Sequence, residues 1–153
     1  MNIHAKLKDM GLSLPAPAKP GAVYVPAVRV GDLVFVSGQV PFVDGKVILT
    51  GPVPSAASIE DAQNAARVCA LNGLAVLDNH IGGDWTRFVR LVRLGIFVNS
   101  DDAFTQQHIV GNGASQFLVD LLGDSGTHAR AAIGVNALPL GSSVEVEMIA
   151  QVR

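Results

Sequence analysis

The closing stretch THARAAIGVNALPLGSSVEVEMIAQVR, residues 127–153, decides the fold. Read as a strand, its second half places Val144, Val146, Met148, Ala150 and Val152 on one face and Glu145, Glu147, Ile149 and Gln151 on the other. Its first half, 129–135, places Ala129, Ala131, Ile133 and Val135 on one face and Arg130, Ala132 and Gly134 on the other. The segment NALPLG between them reads as the connection of an antiparallel hairpin, with Arg130 opposite Glu145. A charge in an apolar strand needs a partner or a charged ligand. The structural reading is a cross-strand ion pair worth about 1 kcal/mol or less. The functional reading is an Arg130 fork that clamps a carboxylate, with a nearby glutamate to handle a proton or a water.

Two helices and several strands precede this stretch. AVYVPAVRV (22–30) and LVFVSGQ (33–39) read as strands turning at Gly31-Asp32, and FVDGKVIL reads as a hairpin turning at Asp44-Gly45. SIEDAQNAARVCALNGLAVLDNHIGG (58–83) has the period of a helix of about six turns, with Ser58 as N-cap and two glycines as stop. RFVRLVRLGIFVNS (87–100) is a long strand. DDAFTQQHIVGNGASQFLVDLLGDSG (101–126) is a second helix with a break expected near Gly111 and Gly113. The order β-β-β-α-β-α-β-β predicts an α+β domain over 21–153, one mixed sheet with both helices on one face. Residues 1–20, rich in proline at their end, are expected to form an extended N-terminal segment.

The strands are apolar on both parities, so the sheet face without helices should also be covered. Hydrophobic residues make up 49% of the chain and charged ones only 16%, against an ordinary charged share of about 25%. Both features favour self-association. A net charge of −2 without a basic cluster argues against nucleic acid as a partner. No apolar run approaches the ~20 residues of a membrane span, and no secretory leader is visible at the start, so a cytoplasmic location is expected.

Other motifs carry little chemistry. His4, His80, His108 and His128 are scattered without metal-ligand spacing, and Cys69 is single; no metal or cofactor is expected. The histidines read as surface or capping residues, and Cys69 as a small buried hydrophobe. GNGAS (111–115) lacks the Lys-Ser/Thr ending of a phosphate loop and lies inside a helical pattern. Ser37 has no G-x-S-x-G elbow around it.

VFVSGQVP after YVPAVRVGDL, then LGIFVNS, then HARAAIGVNALPLGSSVEVEMIA resembles, in order and spacing from Tyr24 to Val152, the Rid family (YjgF/YER057c/UK114) of reactive intermediate deaminases, as a divergent YjgF-like member. The resemblance implies a chorismate-mutase-like fold and a homotrimer with clefts between subunits. It implies hydrolysis of reactive enamine/imine intermediates, the 2-imino acids, to 2-keto acids and ammonia without metal or cofactor. Carried over position by position, Arg130 binds the substrate carboxylate and Glu145 helps position the attacking water. Tyr24 joins them in the cleft, and Ser37 and Gly38 line the pocket. The family's cleft asparagine falls on His108 counted forward from IFVNS and near Asn112 counted back from Arg130. Ala132 stands where the deaminases often have cysteine. The alternative is a non-catalytic trimer that binds a small carboxylate metabolite in the same inter-subunit cleft.

Overall fold

A computed structural model describes residues 2–17 and 23–153. Its centre is a sheet of five strands, β1 (Ala27–Val30), β2 (Leu33–Gln39), β5 (Phe88–Asn99), β6 (Ala129–Val135) and β7 (Val144–Val152), in the order β1-β2-β7-β5-β6. A separate hairpin pairs β3 (Phe42–Val43) with β4 (Lys46–Val47). It turns at Asp44 (φ 48°) and Gly45 (φ 83°), the left-handed pair that a two-residue hairpin requires. The sheet is mixed, as predicted: β6 runs parallel to β5, and the other neighbours are antiparallel.

The alternation of β7 sets the two sides. Val144, Val146, Met148, Ala150 and Val152 are at most 1% exposed, and the residues between them are half-buried. Helices α2 (Ile59–His80) and α3 (Gln107–Leu122) cover the buried side. Gly73 brings α2 down onto Met148, and Gly111 brings α3 onto Ile96, which shares that face. Ser58 caps α2 as its sequence announces, accepting from Asp61 N at 3.0 Å and donating to Asp61 Oδ2 at 2.7 Å. The opposite face carries Val28, Val30, Phe35, Phe97, Ile133 and Ile149, and four of these are 42–63% exposed.

Three expectations are corrected. Residues 3–9 are not extended: Ile3–Asp9 form helix α1, capped by the Asn2 side chain accepting from Ala5 N at 3.0 Å. Ile3 and Leu7, one turn apart, are fully buried, which stabilises by roughly 1.5–3 kcal/mol each, and Lys6 Nζ donates to Leu121 O at the end of α3. Seven residues are too few to show a period, so packing rather than propensity makes this helix. Residues 12–17 run without helix or strand, and the end of the predicted extended segment, with the boundary at 20/21, lies outside the described residues. Next, α3 is unbroken across Gly111 and Gly113 and begins at Gln107, later than expected. Both glycines serve close approach rather than a break.

Finally, β6 and β7 do not pair as a hairpin, because β5 lies between them. Their connection crosses the end of β5, where Asn99 N donates to Ser143 O, and it is anchored by Ser143 N to Leu49 O and Gly51 N to Gly141 O. Arg130 therefore shares a row with Leu94 and Met148, and Glu145 shares one with Phe97 and Ile133.

Candidate functional site

Arg130 points to the helix side of the sheet, beneath α3. Its Nη1 donates to Asn112 Oδ1 at 3.1 Å and to Ser115 Oγ at 3.0 Å, and its Nη2 donates to His108 O at 3.2 Å. Both candidates for the cleft asparagine thus meet the guanidinium, Asn112 by its side chain and His108 by its carbonyl. Gly111 permits the approach, since a Cβ there would sit 3.3 Å from Nη1. Among the described residues, Nε–H and one Nη2–H have no acceptor. Nε and Nη2 share one edge of the planar fork, the edge that matches the two oxygens of a carboxylate.

Strand β6 is an edge strand. Val135 O accepts from Ser100 N, the residue just after β5, so by alternation the backbone groups of Arg130, Ala132 and Gly134 point outward from the sheet. Beside the guanidinium lie a methyl group and free backbone donors and acceptors.

Glu145 lies elsewhere. Between Val36 and Gln39, β2 carries one residue more than the facing Met148-to-Val146 segment of β7, a bulge at Ser37-Gly38. The bulge turns the Gly38 backbone toward the Glu145 carboxylate; a Cβ at 38 would overlap Glu145 Oε1. Ser37 Oγ donates to Val25 O at 2.8 Å and Ser37 N to Pro26 O at 2.9 Å. These bonds tie the segment carrying Tyr24, itself 51% exposed, to the bulge. Burial raises the Glu145 pKa above its ordinary value, and the neighbouring Glu147 charge adds to the effect. Glu147 pairs with Arg93 at 3.0 Å.

The predicted residues thus divide into two groups. Arg130, Asn112 and Ala132 lie together at the β6 edge under α3. Tyr24, Ser37, Gly38 and Glu145 lie together at the β2 bulge, with Glu145 on the opposite sheet face. Three rows and two strand spacings separate Arg130 from Glu145, about 14 Å between Cα atoms from strand geometry. The expected cross-strand contact does not form within one chain.

Sequence reasoning missed Ser115, His128 and Gly111. Ser115 Oγ lies 3.0 Å from His128 Nε2, and His128 Nδ1 lies 2.6 Å from Gly126 O. Burial lowers the His128 pKa, the Gly126 carbonyl partly offsets this, and Arg130 lowers it further. A signal was present: positions 108, 111, 112 and 115 have the i, i+3, i+4, i+7 spacing of one helix face. Cys69 is fully buried, with burial first and Glu145 second raising its pKa well up, which leaves the thiol inert. Among the described residues no three His, Cys, Asp or Glu gather as metal ligands, and no helix is long and apolar enough to cross a membrane.

Comparison with known proteins agrees with this architecture. The family model described as "YjgF/chorismate_mutase-like, putative endoribonuclease" matches residues 4–152. Protein TCP17 of Trypanosoma cruzi is 39% identical over 152 residues, covering 99% of this chain and 94% of its own. The crystal structure of Atu1372 from Agrobacterium tumefaciens, a protein of unknown function, superposes with a TM-score of 0.92 at 41% identity, covering 99% and 94% of the two chains. That of E. coli TdcF with bound serine has a TM-score of 0.59 at 26% identity, covering 90% and 93%. With a family match spanning nearly the whole chain, on a mixed sheet backed by two helices, this protein belongs to the YjgF/chorismate-mutase-like family.

Proposed function

We propose that the chain is a cytoplasmic hydrolase of 2-imino acids, the tautomers of reactive enamines, and that it releases 2-keto acids and ammonia. The supporting observation is the Arg130 guanidinium, held by three acceptors of α3, with Nε–H and one Nη2–H left without an acceptor among the described residues. The substrate carboxylate binds Arg130, which fixes the C=N carbon beside the β6 edge. Glu145 takes a proton from the attacking water. Hydroxide adds to the carbon of the protonated C=N to give a neutral carbinolamine. Glu145 returns the proton to its nitrogen, the C–N bond breaks to release ammonia, and the hydroxyl proton passes to Glu145 as the C=O forms. A raised carboxyl pKa suits these transfers. Tyr24 lines the cleft, and Ser37 and Gly38 shape it.

The two residue groups act together when the Arg130 side of one subunit meets the Glu145 side of a neighbour. The apolar face bearing Val28, Val30, Phe35 and Ile133 supports such contact, and a homotrimer supplies three clefts. The serine bound in E. coli TdcF carries the same carboxylate group. It equally supports the second reading, a trimer that binds carboxylate metabolites without turnover. The low charge gives RNA no electrostatic footing.

The test generates 2-imino acids of several sizes with an amino-acid oxidase and follows their decay, with the protein mass measured in solution. Accelerated decay and a mass three times that of the chain are expected. Keto-acid binding without any acceleration favours the second reading, and a stable monomer excludes the shared cleft.

Glu145 also links function to stability. Its raised pKa means that the stability it contributes is present below the ordinary carboxyl range and lost as pH rises through the raised value. Glu145→Gln is therefore expected to raise the thermal midpoint at pH 7.5 by roughly 2 °C while lowering kcat. Wild type and variant should converge near pH 3, below the ordinary carboxyl range, where both side chains are neutral. Thermal scans at the two pH values check this, and equal midpoints throughout would contradict it.

A further inference from the structure

We propose that Ser115 and His128 are positioning residues for Arg130, a hydrogen-bond chain that aims the guanidinium before a carboxylate arrives. The inference rests on the carboxylate-binding reading of Arg130 and deepens it.

The direction of each bond follows from chemistry. Gly126 O, a carbonyl, can only accept, so His128 Nδ1, 2.6 Å away, carries a hydrogen. In the neutral ring Nε2 then offers a lone pair toward Ser115 Oγ at 3.0 Å. The Ser115 hydroxyl donates to it, which leaves the Oγ lone pairs for Arg130 Nη1 at 3.0 Å. Donation runs one way, from Arg130 to Ser115 to His128 to Gly126, so each bond polarises the next. The lowered His128 pKa favours the neutral ring that this order needs. Asn112 Oδ1 and His108 O complete the cradle at 3.1 and 3.2 Å. Without His128, the Ser115 hydroxyl is free to turn and bond a carbonyl one turn back along α3. Without Ser115, Nη1 keeps only Asn112. Either loss lets a long side chain wander from the geometry that meets two oxygens.

The experiment measures the dissociation constant of pyruvate for the full-length protein by NMR or calorimetry, so it does not depend on turnover. Ser115→Ala and His128→Ala should each weaken binding roughly tenfold. The double variant should weaken it no more than the worse single, because both act through one chain. Ser115→Thr, which keeps the hydroxyl, should bind nearly as wild type, and 15N shifts should place the His128 hydrogen on Nδ1. If the protein turns over 2-imino acids, KM should rise in the two alanine variants with kcat changed little. Independent losses that multiply to roughly a hundredfold, an Nε2–H ring, or failure of the threonine rescue overturns the proposal. Arg130→Ala separates it from the reading beneath it. If that variant loses pyruvate while Ser115→Ala and His128→Ala keep wild-type affinity, only the positioning role falls. If Arg130→Ala binds pyruvate unchanged, the carboxylate reading falls and takes the positioning role with it.

Discussion

Arg130→Ala is expected to lower kcat/KM for 2-imino acids roughly 10²–10³-fold with little change in thermal midpoint. Losing one partner of a hydrogen-bonded charge pair costs about 2–5 kcal/mol. The stability effect is small because Arg130 is only half-buried and the acceptors it leaves, Asn112 Oδ1, Ser115 Oγ and His108 O, border solvent. Arg130→Lys should recover little. A lysine keeps the charge, but its three donors radiate from one nitrogen and cannot engage α3 while presenting a flat two-point edge. Steady-state kinetics with imino acids of two sizes checks this. Activity within tenfold of wild type in the alanine variant would remove Arg130 from the substrate.

Gly113→Ala is expected to have the largest effect on stability. Its Cβ would overlap Gln63 O, with Gln63 C at 2.6 Å and Cα at 2.8 Å. These are backbone atoms of α2, so no rotamer change relieves the overlap and the two helices must separate. Overpacking costs about 1–3 kcal/mol or more, and rigid backbone puts this site at the upper end. The helix-forming advantage of alanine, about 1 kcal/mol, offsets part of it. A net loss of about 2 kcal/mol lowers the midpoint by roughly 4–8 °C. The contact is further pinned by Gln63 Nε2 donating to Ile109 O at 2.9 Å. Because α3 also supplies Asn112 and Ser115, KM should rise as well. An unchanged midpoint would mean that α2 and α3 slide freely.

What the sequence made legible was local. The alternation of 144–152, the Ser58 cap and the Asp44-Gly45 turn each record an interaction between near neighbours, and each has its predicted form. Pairing of β6 with β5 was not legible. Chain proximity across NALPLG suggested a hairpin, whereas the partners that carry this connection over β5, Asn99, Leu49 and Gly51, are distant in sequence. The same error put Arg130 and Glu145 in contact. Their separate environments were half-visible. The small residues beside Arg130 indicated room, and the order of motifs indicated both groups of residues. The α3 cradle was hidden by the glycines of GNGAS, which suggested a break where they allow the guanidinium and Gln63 to approach.

Edge strands usually carry a guard against addition of another strand: a lysine, a proline, a bulge or an inward charge. Strand β6 has neither lysine nor proline over 129–135 and its pairing with β5 is regular, so Arg130, folded inward under α3, is the single guard it carries. The backbone groups of Arg130, Ala132 and Gly134 therefore stand ready for any extended chain that arrives. Availability to a ligand and vulnerability to aggregation are one property of this edge. A newly synthesised chain is most exposed to sticking before its neighbours arrive, and crowding many such chains into one compartment sets its colloidal limit.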